Sequence, residues 1–343
     1  MEIEFYCEDS PSFVFTPPDI YGRGVGGAEL ALISLTETLA KRGHQVTVWN
    51  TPPTPGEYDG VTYKDTAEFD FWRARDVFVL FRNSTDFLPV VNARKRVFWS
   101  TDQMTTWDYK EAIYPFVDFA VCISEYHKQD HIARYGIRPE RIHAIDLGVR
   151  LQDYEGTVPK VPGKVIYCSI PHRGAAQLAK IWPLVLAEVP DAHLVLTGDY
   201  SLWGRGIKPG CEDIRELYKG VKNAEFLGNI PRKELVKHQM EAEVMAYPHV
   251  PVNGLPELFC LSVAECQVAG TVPVTSGYGG LATTNRGGWI EWGNPDDELY
   301  QRVFAGGIVN SMWGLFGQPG MVQKARQRFD WNRIAVEWEN LLG

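Results

Sequence analysis

The chain has 343 residues, 45% of them hydrophobic and 22% charged, with a formal net charge of -9 at pH 7. The length exceeds one average domain and the composition is that of a globular protein with a sizeable core, which argues against a single helix bundle, a collagen-like rod or a disordered chain. Most of the acidic excess lies in residues 1–160, and neither half has the surplus of Lys and Arg from which nucleic-acid binding draws its affinity.

The local basic groups, Arg94-Lys95-Arg96 and Lys324 with Arg326 and Arg328, read as solvated faces. The six cysteines, at 7, 122, 168, 211, 260 and 266, form no CxxC pair and no zinc spacing, so they read as reduced thiols, mostly buried. MEIEFYCEDS places acidic residues where a signal peptide needs a basic region and an apolar run. No stretch approaches the roughly 20 apolar residues that span a bilayer. The expectation is a cytoplasmic protein in which the sequon Asn83-Ser84-Thr85 is silent.

In chain order, short apolar runs alternate with helical patterns, the signature of parallel sheets with crossover helices. Strands are predicted at 3–7, 45–49, 77–81, 96–100 and 119–124. Between the first two lies a helix, apolar at Leu30, Ile33, Leu35 and Leu39 and closed by Gly43. Residues 154–164, YEGTVPKVPGK, are rich in Pro and Gly, have no period and read as a linker.

Alternation then resumes, with strands at 164–169, 192–199, 224–228, 243–248 and 271–276. Helices are predicted through Trp182, from Arg232, over about 258–269 and over about 321–342. The expected fold class is α/β with two doubly wound, Rossmann-like domains, residues 1–155 and 164–320, and a terminal helix (321–343) returning to the first. Open sheets of this kind bind ligands at the C-terminal ends of their strands, so the cleft between the domains is the expected site.

Gly22-Arg23-Gly24-Val25-Gly26-Gly27 formally contains the dinucleotide fingerprint GxGxxG. It lies too far behind the first strand, and the next strand ends in Trp49-Asn50 without the acidic ribose ligand, so a dehydrogenase is disfavoured. His127 and His131 stand four apart on a predicted helix, a ligand spacing, but the sequence places no third ligand beside them, and no metal site is assigned.

The most informative stretch is GLPELFCLSVAECQVAGTVPVTSGYGG (254–280), in which seven residues separate Glu257 from Glu265. A helix beginning just after Pro256 presents the backbone N-H groups of Leu258 and Phe259, which with the helix dipole favour an anion such as a diphosphate. Eight helical steps put the two carboxylates about 12 Å apart and within about 80° around the axis, a span that suits an extended nucleotide sugar. The bland alternative is a capped amphipathic helix with two solvated Glu.

The Glu-x7-Glu spacing, the following AGTVPVTSGYGG, the early GGAELALISLTETLAKRGHQVTVW and CISEYHKQDHIARYGIRPERIHAIDLGV resemble the retaining glycosyltransferases of family 4. The matches run in order over about 25–276, with FDWNRIAVEW near the end. The resemblance implies a GT-B fold and a nucleoside diphosphate sugar as donor, UDP-sugars first. The acceptor implied is a hydroxyl of a glycan, glycolipid or small glycoside, and neither a metal nor another cofactor is required. It places Glu257 at the donor hexose, Glu265 at the ribose, and Gly26 and Gly27 near the donor phosphates or the transferred sugar. Arg173 falls at the diphosphate, and the second basic residue usual there is replaced around Cys168 and Ser169.

It also places the nucleobase at the loop holding Gly228, Asn229 and Ile230, with Tyr247 and Pro248 lining the next strand end. Thr101 stands where relatives often carry His, Asp102 keeps the adjacent acid, and Arg82 lies on the acceptor side. Arg82 or Lys180 could compensate for the missing basic residue at the diphosphate, and His172 is a further candidate on the donor side. The loops expected to select the acceptor, about 8–25, 82–90 and 100–110, carry no motif, and the oligomeric state is not encoded in any pattern. Three alternatives remain from the sequence: transfer to a hydroxymethylated pyrimidine in DNA, a catalytically weak nucleotide-sugar-binding protein on the same scaffold, and a nucleotide-sugar epimerase or phosphorylase sharing the fold. Peripheral membrane contact also stays open, although no strongly basic amphipathic helix is visible.

Overall fold

The computed structural model describes residues 1–8, 14–83, 85–102, 109–200, 214–251 and 254–343. Cys211, Ser84 of the sequon, and parts of all three expected acceptor loops (9–13, 84, 103–108) lie outside the described residues. The strands are β1 (Glu2–Tyr6), β2 (Gln45–Trp49), β3 (Gly56–Tyr58), β4 (Val61–Lys64), β5 (Arg75–Phe81), β6 (Ala93–Ser100), β7 (Phe119–Cys122), β8 (Ile142–Ala144), β9 (Lys164–Cys168), β10 (His193–Thr197), β11 (Ala224–Gly228), β12 (Val244–Tyr247), β13 (Val272–Ser276) and β14 (Trp289–Glu291). The helices are α1 (Gly27–Lys41), α2 (Glu125–Tyr135), α3 (Ala175–Glu188), α4 (Ile214–Tyr218), α5 (Arg232–Glu241), α6 (Leu261–Val268), α7 (Leu281–Thr284), α8 (Glu298–Met312), α9 (Met321–Arg328) and α10 (Trp331–Leu342). Among the described residues no helix is long and apolar enough to cross a membrane.

The chain divides into two compact units: unit 1 is residues 1–20, 25–148 and 331–343, and unit 2 is residues 21–24 and 149–330. Unit 1 contains an eight-stranded sheet in the order β3-β4-β2-β1-β5-β6-β7-β8, parallel except for the β3–β4 hairpin. The central strands are mostly apolar (Ile3 and Phe5 of β1, Val77 to Phe81 of β5), as buried parallel strands require, and the exception, buried Glu4 of β1, pairs with Arg75 Nε of β5 at 2.9 Å. α1 buries Leu30, Ile33, Leu35 and Leu39 and ends where Gly43 takes a left-handed φ of 93°. α2 starts at Ser124, whose side chain accepts from the His127 N-H, and stops at left-handed Gly136, whose N-H reaches Ile132 O at 2.9 Å.

Unit 2 contains a fully parallel six-stranded sheet in the order β11-β10-β9-β12-β13-β14. Its core joins Val165, Tyr167, Leu178, Trp182, Leu196, Met245, Val263 and Phe304. The β9–β10 crossover through α3 and the β12–β13 crossover through α6 bring the ends of β9, β12 and β13 side by side.

Three expectations need correction. The helix expected from 258 is α6, which starts only at Leu261, because Cys260 sits at a left-handed φ of 73° and Gly280 N-H holds Glu257 O at 2.6 Å. Glu257 therefore precedes the helix, and the helical arithmetic linking it to Glu265 does not apply. The terminal helix expected over 321–342 is two helices. Val149 N-H bonds Phe329 O at 2.8 Å and Val149 bridges Asp330, which takes the backbone out of helix between α9 and α10.

The expected linker, 154–164, lies within unit 2, after the unit boundary at 148. Lys160 Nζ bonds Ala242 O, Ala269 O and Thr271 Oγ1 at 2.7–3.2 Å, and Val161 N-H bonds Glu241 O at 2.8 Å, so this stretch without apolar period is held by polar contacts. The β3–β4 hairpin was not expected from the sequence. Its turn residues Asp59 and Gly60 have φ of 49° and 80°, the positive pair that Asp-Gly hairpins adopt.

Candidate functional site

The C-terminal ends of β9, β12 and β13 in unit 2 bring together two of the expected donor residues, Arg173 and Glu257. After β9, a short turn of helix (Pro171–Arg173) ends at Gly174, which has φ 119°. A Cβ there would lie 2.2 Å from Pro248 O, so only glycine lets this turn pass against the end of β12. That close approach sets Arg173 Nη1 2.8 Å from Glu257 Oε2. Tyr247 OH donates to the same oxygen at 3.1 Å and accepts from Ser169 Oγ at 3.2 Å.

Glu257 is further fixed through its backbone. Its N-H donates to His249 Nε2 at 3.1 Å, and its carbonyl accepts from Gly280. Burial drives the His249 imidazole down to about 4, so the ring is neutral and its Nε2 accepts. Burial pushes the Glu257 carboxyl up, but Arg173 first, then the Tyr247 hydroxyl and the Leu258 N-H, outweigh it and hold the group below the usual carboxylate range. The Glu257 charge in turn raises the Arg173 guanidinium against its own burial. The result is a permanently ionised pair in which Arg173, with its side chain 36% exposed, keeps donors toward an incoming anion and Glu257 keeps carboxylate lone pairs for hydroxyls. Tyr247 and His249 complete the cluster. The sequence reading placed Tyr247 only at the base and missed His249, although Tyr-x-His at a strand end close before Glu257 was a usable signal.

The other expected donor residues fall in two places. Leu258 N-H turns to Glu257 Oε1 at 3.2 Å, and Leu258 and Phe259 are buried ahead of α6. The 228–230 loop lies at the end of β11: Gly228 has φ 68°, and Asn229 pairs reciprocally with Asp199 at 2.9 and 3.0 Å. Ile230 is half-buried there.

Glu265 is not brought to Glu257. It is buried in α6, with Oε1 2.9 Å from Arg232 Nη1 and Oε2 accepting from Gln239 at 3.1 Å, and Arg232 also reaches Asp153 Oδ2 at 2.5 Å. Lys180 pairs with Asp296 at 2.8 Å on the surface rather than joining the cluster, and His172 Nδ1 lies 2.8 Å from Tyr200 OH.

In unit 1, Gly26 is the N-cap of α1 and Gly27 its first residue, neither with a positive φ. Thr101 and Asp102 follow β6, and Arg82 follows β5. Arg82 Nε donates to Asp102 Oδ2 and its Nη1 to Glu29 Oε1, both at 2.7 Å. Glu29, in the first turn of α1, was missed by the sequence reading.

His127 and His131 do meet a third group: Cys122, a buried residue that the sequence could not place beside them, and one ligand atom from each lies within 4.8 Å of the others. Ser100 Oγ lies 3.3 and 3.0 Å from the two Nε2 atoms, and Ile123 N-H points at His127 Nδ1 at 3.4 Å. Burial drives His127 well below its ordinary value and His131 down to about 4, so both rings are neutral members of a buried polar cluster.

Residues 163–303 match the family model described as Glycosyl transferases group 1. Two curated relatives, both named as a subunit of phosphatidylinositol N-acetylglucosaminyltransferase, are 22% identical. The one from Arabidopsis thaliana aligns over 229 residues (65% of this chain, 48% of the relative) and the one from Homo sapiens over 170 (47% and 32%). The chain thus spans half or less of the length of these relatives.

Among solved structures, AviGT4, a glycosyltransferase involved in avilamycin A biosynthesis, superposes with a TM-score of 0.72 at 17% identity, over 99% of this chain and 96% of that one. HepE of Anabaena, solved in complex with UDP-glucose, gives 0.70 at 16%, over 100% and 99%. The chain therefore has the GT-B fold, with the Glycosyl transferases group 1 match on the unit that holds Arg173, Glu257 and the 228–230 loop.

Proposed function

We propose that the chain is a retaining glycosyltransferase of family 4, transferring a hexose from a nucleoside diphosphate sugar, a UDP-sugar first, to a hydroxyl of a glycan, glycolipid or small glycoside. The observation that carries this reading is the ionised Arg173–Glu257 pair, tied to Tyr247 and His249 at the strand ends of unit 2. Arg173 would take the diphosphate and Glu257 the hexose hydroxyls. Asp102 and Arg82 of unit 1 are assigned to the acceptor. HepE was solved with UDP-glucose and the curated relatives are named for phosphatidylinositol, which supports a UDP donor and a polyol acceptor here.

In the transfer itself the acceptor oxygen bonds the anomeric carbon as the bond from that carbon to the diphosphate oxygen breaks. The electron pair leaves on the diphosphate, and the leaving phosphate takes the acceptor proton. No protein nucleophile is needed, and the charge that develops on the leaving group is met by Arg173 rather than by a metal. Rate then comes from positioning. Cytoplasmic residence belongs to this reading.

One observation favours a second reading, a nucleotide-sugar-binding protein. The family resemblance puts Cys168 and Ser169 near the place of a second cation, and the Ser169 hydroxyl is engaged with Tyr247. Incubation of the purified chain with UDP-glucose or UDP-N-acetylglucosamine, with and without myo-inositol or methyl α-glucopyranoside, separates the two by mass spectrometry. Release of UDP with a glycosylated polyol supports transfer, whereas intact donor in the presence of demonstrated UDP binding supports the binding protein.

A further inference from the structure

In unit 1, β1 lies in mid-sheet between β2 and β5, and α1 leads from β1 to β2 on one side while the chain later resumes at β5 on the other. The strand order therefore reverses between β1 and β5, and the crevice outside their C-terminal ends is where doubly wound sheets take ligands. Three charged side chains meet there. Glu29 enters from the first turn of α1, Arg82 from the end of β5 and Asp102 from just beyond β6. Arg82 is a non-glycine residue at φ 70°, pinned by its N-H to Trp99 O at 3.1 Å, and such strained positions cluster at ligand sites.

The exposures grade from anchor to tip: the side chain of Glu29 is 8% exposed, that of Arg82 17% and that of Asp102 44%. Asp102 Oδ2 accepts from Arg82 and, at 3.5 Å, from Thr101 Oγ1, while no described residue hydrogen-bonds its Oδ1. Two edges of the Arg82 fork are committed to carboxylates, and the three charges sum to -1. A neutral hydroxyl suits that balance better than a phosphate.

We infer that Glu29 and Arg82 are positioning residues that hold Asp102 with one carboxylate oxygen turned over to a hydroxyl of a neutral polyol acceptor. Glu29 fixes Arg82, Arg82 fixes Oδ2 of Asp102, and Oδ1 is left to accept the hydrogen bond of the acceptor hydroxyl. The inference rests on the glycosyltransferase reading.

The test uses the full chain with UDP-glucose, following UDP release in water and with saturating myo-inositol or methyl α-glucopyranoside, for the wild type, Asp102→Asn, Arg82→Ala, Arg82→Lys, Glu29→Gln and the double variant Arg82→Ala/Asp102→Asn. UDP affinity and unfolding midpoint are measured on each. Misplacing a reacting group costs on the order of a hundredfold, so Arg82→Ala should lose about that in kcat with the KM for UDP-glucose unmoved. Arg82→Lys should recover part of the loss, and Glu29→Gln should lose less than Arg82→Ala.

The double variant should be no slower than Asp102→Asn alone, because Arg82 acts through Asp102. Losses that multiply in the double variant, or that appear in KM rather than kcat, overturn the inference. So does a wild type that binds UDP but turns over neither polyol nor water, and so do Arg82→Lys and Glu29→Gln variants that are folded and fully active. A wild type that fails to bind UDP sinks the donor reading instead, which keeps the two failures apart.

Discussion

The role proposed for Glu257 depends on its surroundings. Its side chain is 12% exposed, Arg173, Tyr247 and the Leu258 N-H all donate to its carboxylate, and His249 accepts from its backbone. Glu257→Gln keeps the volume and removes the charge, and it should abolish hexose transfer while UDP still binds, with product read by mass spectrometry; near-normal turnover would remove Glu257 from the site. The neutral histidines make a prediction about pH. His249 and His131 titrate near 4 in the fold against 6.5 as free groups, so the unfolded chain binds more protons between those values and stability rises with pH across that window. Their contribution is complete above about pH 6.5 and is lost as pH falls through about 4. Urea unfolding at a series of pH values should show this slope, and His249→Gln should flatten it; an unchanged slope would mean that His249 is charged in the fold.

At the scale of elements, α10 is fixed by specific contacts rather than by its amphipathic pattern alone. Trp338 meets Trp99 of β6 edge-on at 5.1 Å, Arg42 forks onto Glu339, and Lys95 Nζ takes the Leu341 and Gly343 carbonyls. Trp338→Ala should cost about 3–5 kcal/mol by the usual penalty for deleting a large buried aromatic, read from denaturant midpoints. Gly174 makes the opposite kind of prediction. Gly174→Ala adds only a methyl, but it would press on Pro248 O and demand a left-handed φ, so UDP affinity should fall together with stability. Unchanged UDP affinity in that variant would separate the turn from the site.

Much of this level was legible in the sequence. The apolar runs located β1, β2, β5, β6, β7 and β9 to β13 because buried parallel strands need continuous apolar stretches. The three-residue strands β3, β8 and β14 escaped because so short a run has no period to read. α6 began late because a left-handed Cys260 cannot be read from residue type. At the site, chain order and motif brought Arg173 to Glu257. The burial of Glu265 against Arg232 and Gln239, and the arrival of Cys122 beside His127 and His131, depend on which strands and helices become neighbours, and no local pattern carries that.

For the whole molecule, the chain leaves unit 1 after residue 148, builds unit 2, and returns to unit 1 at 331. α10 therefore joins unit 1 after unit 2 in chain order. Truncation after Asp330 should destabilise unit 1, by exposing Trp99 and the apolar face of α1, and leave the unfolding of unit 2 close to that in the full chain. Hydrogen exchange resolved by peptide would show protection lost in β6 and α1 and kept in β9 and β12; uniform loss would mean that the two units unfold together.

The central claim is that Arg173 and Glu257 form a diphosphate-sugar site. Calorimetric titration of the wild type and Arg173→Ala with UDP and with uridine tests it most directly. A charge-assisted hydrogen bond contributes about 1.5–3 kcal/mol, so the account predicts that the wild type binds UDP, that Arg173→Ala weakens UDP by roughly ten- to a hundredfold, and that uridine binds both equally. A wild type that ignores UDP, or an equal loss of UDP and uridine in the variant, would contradict it.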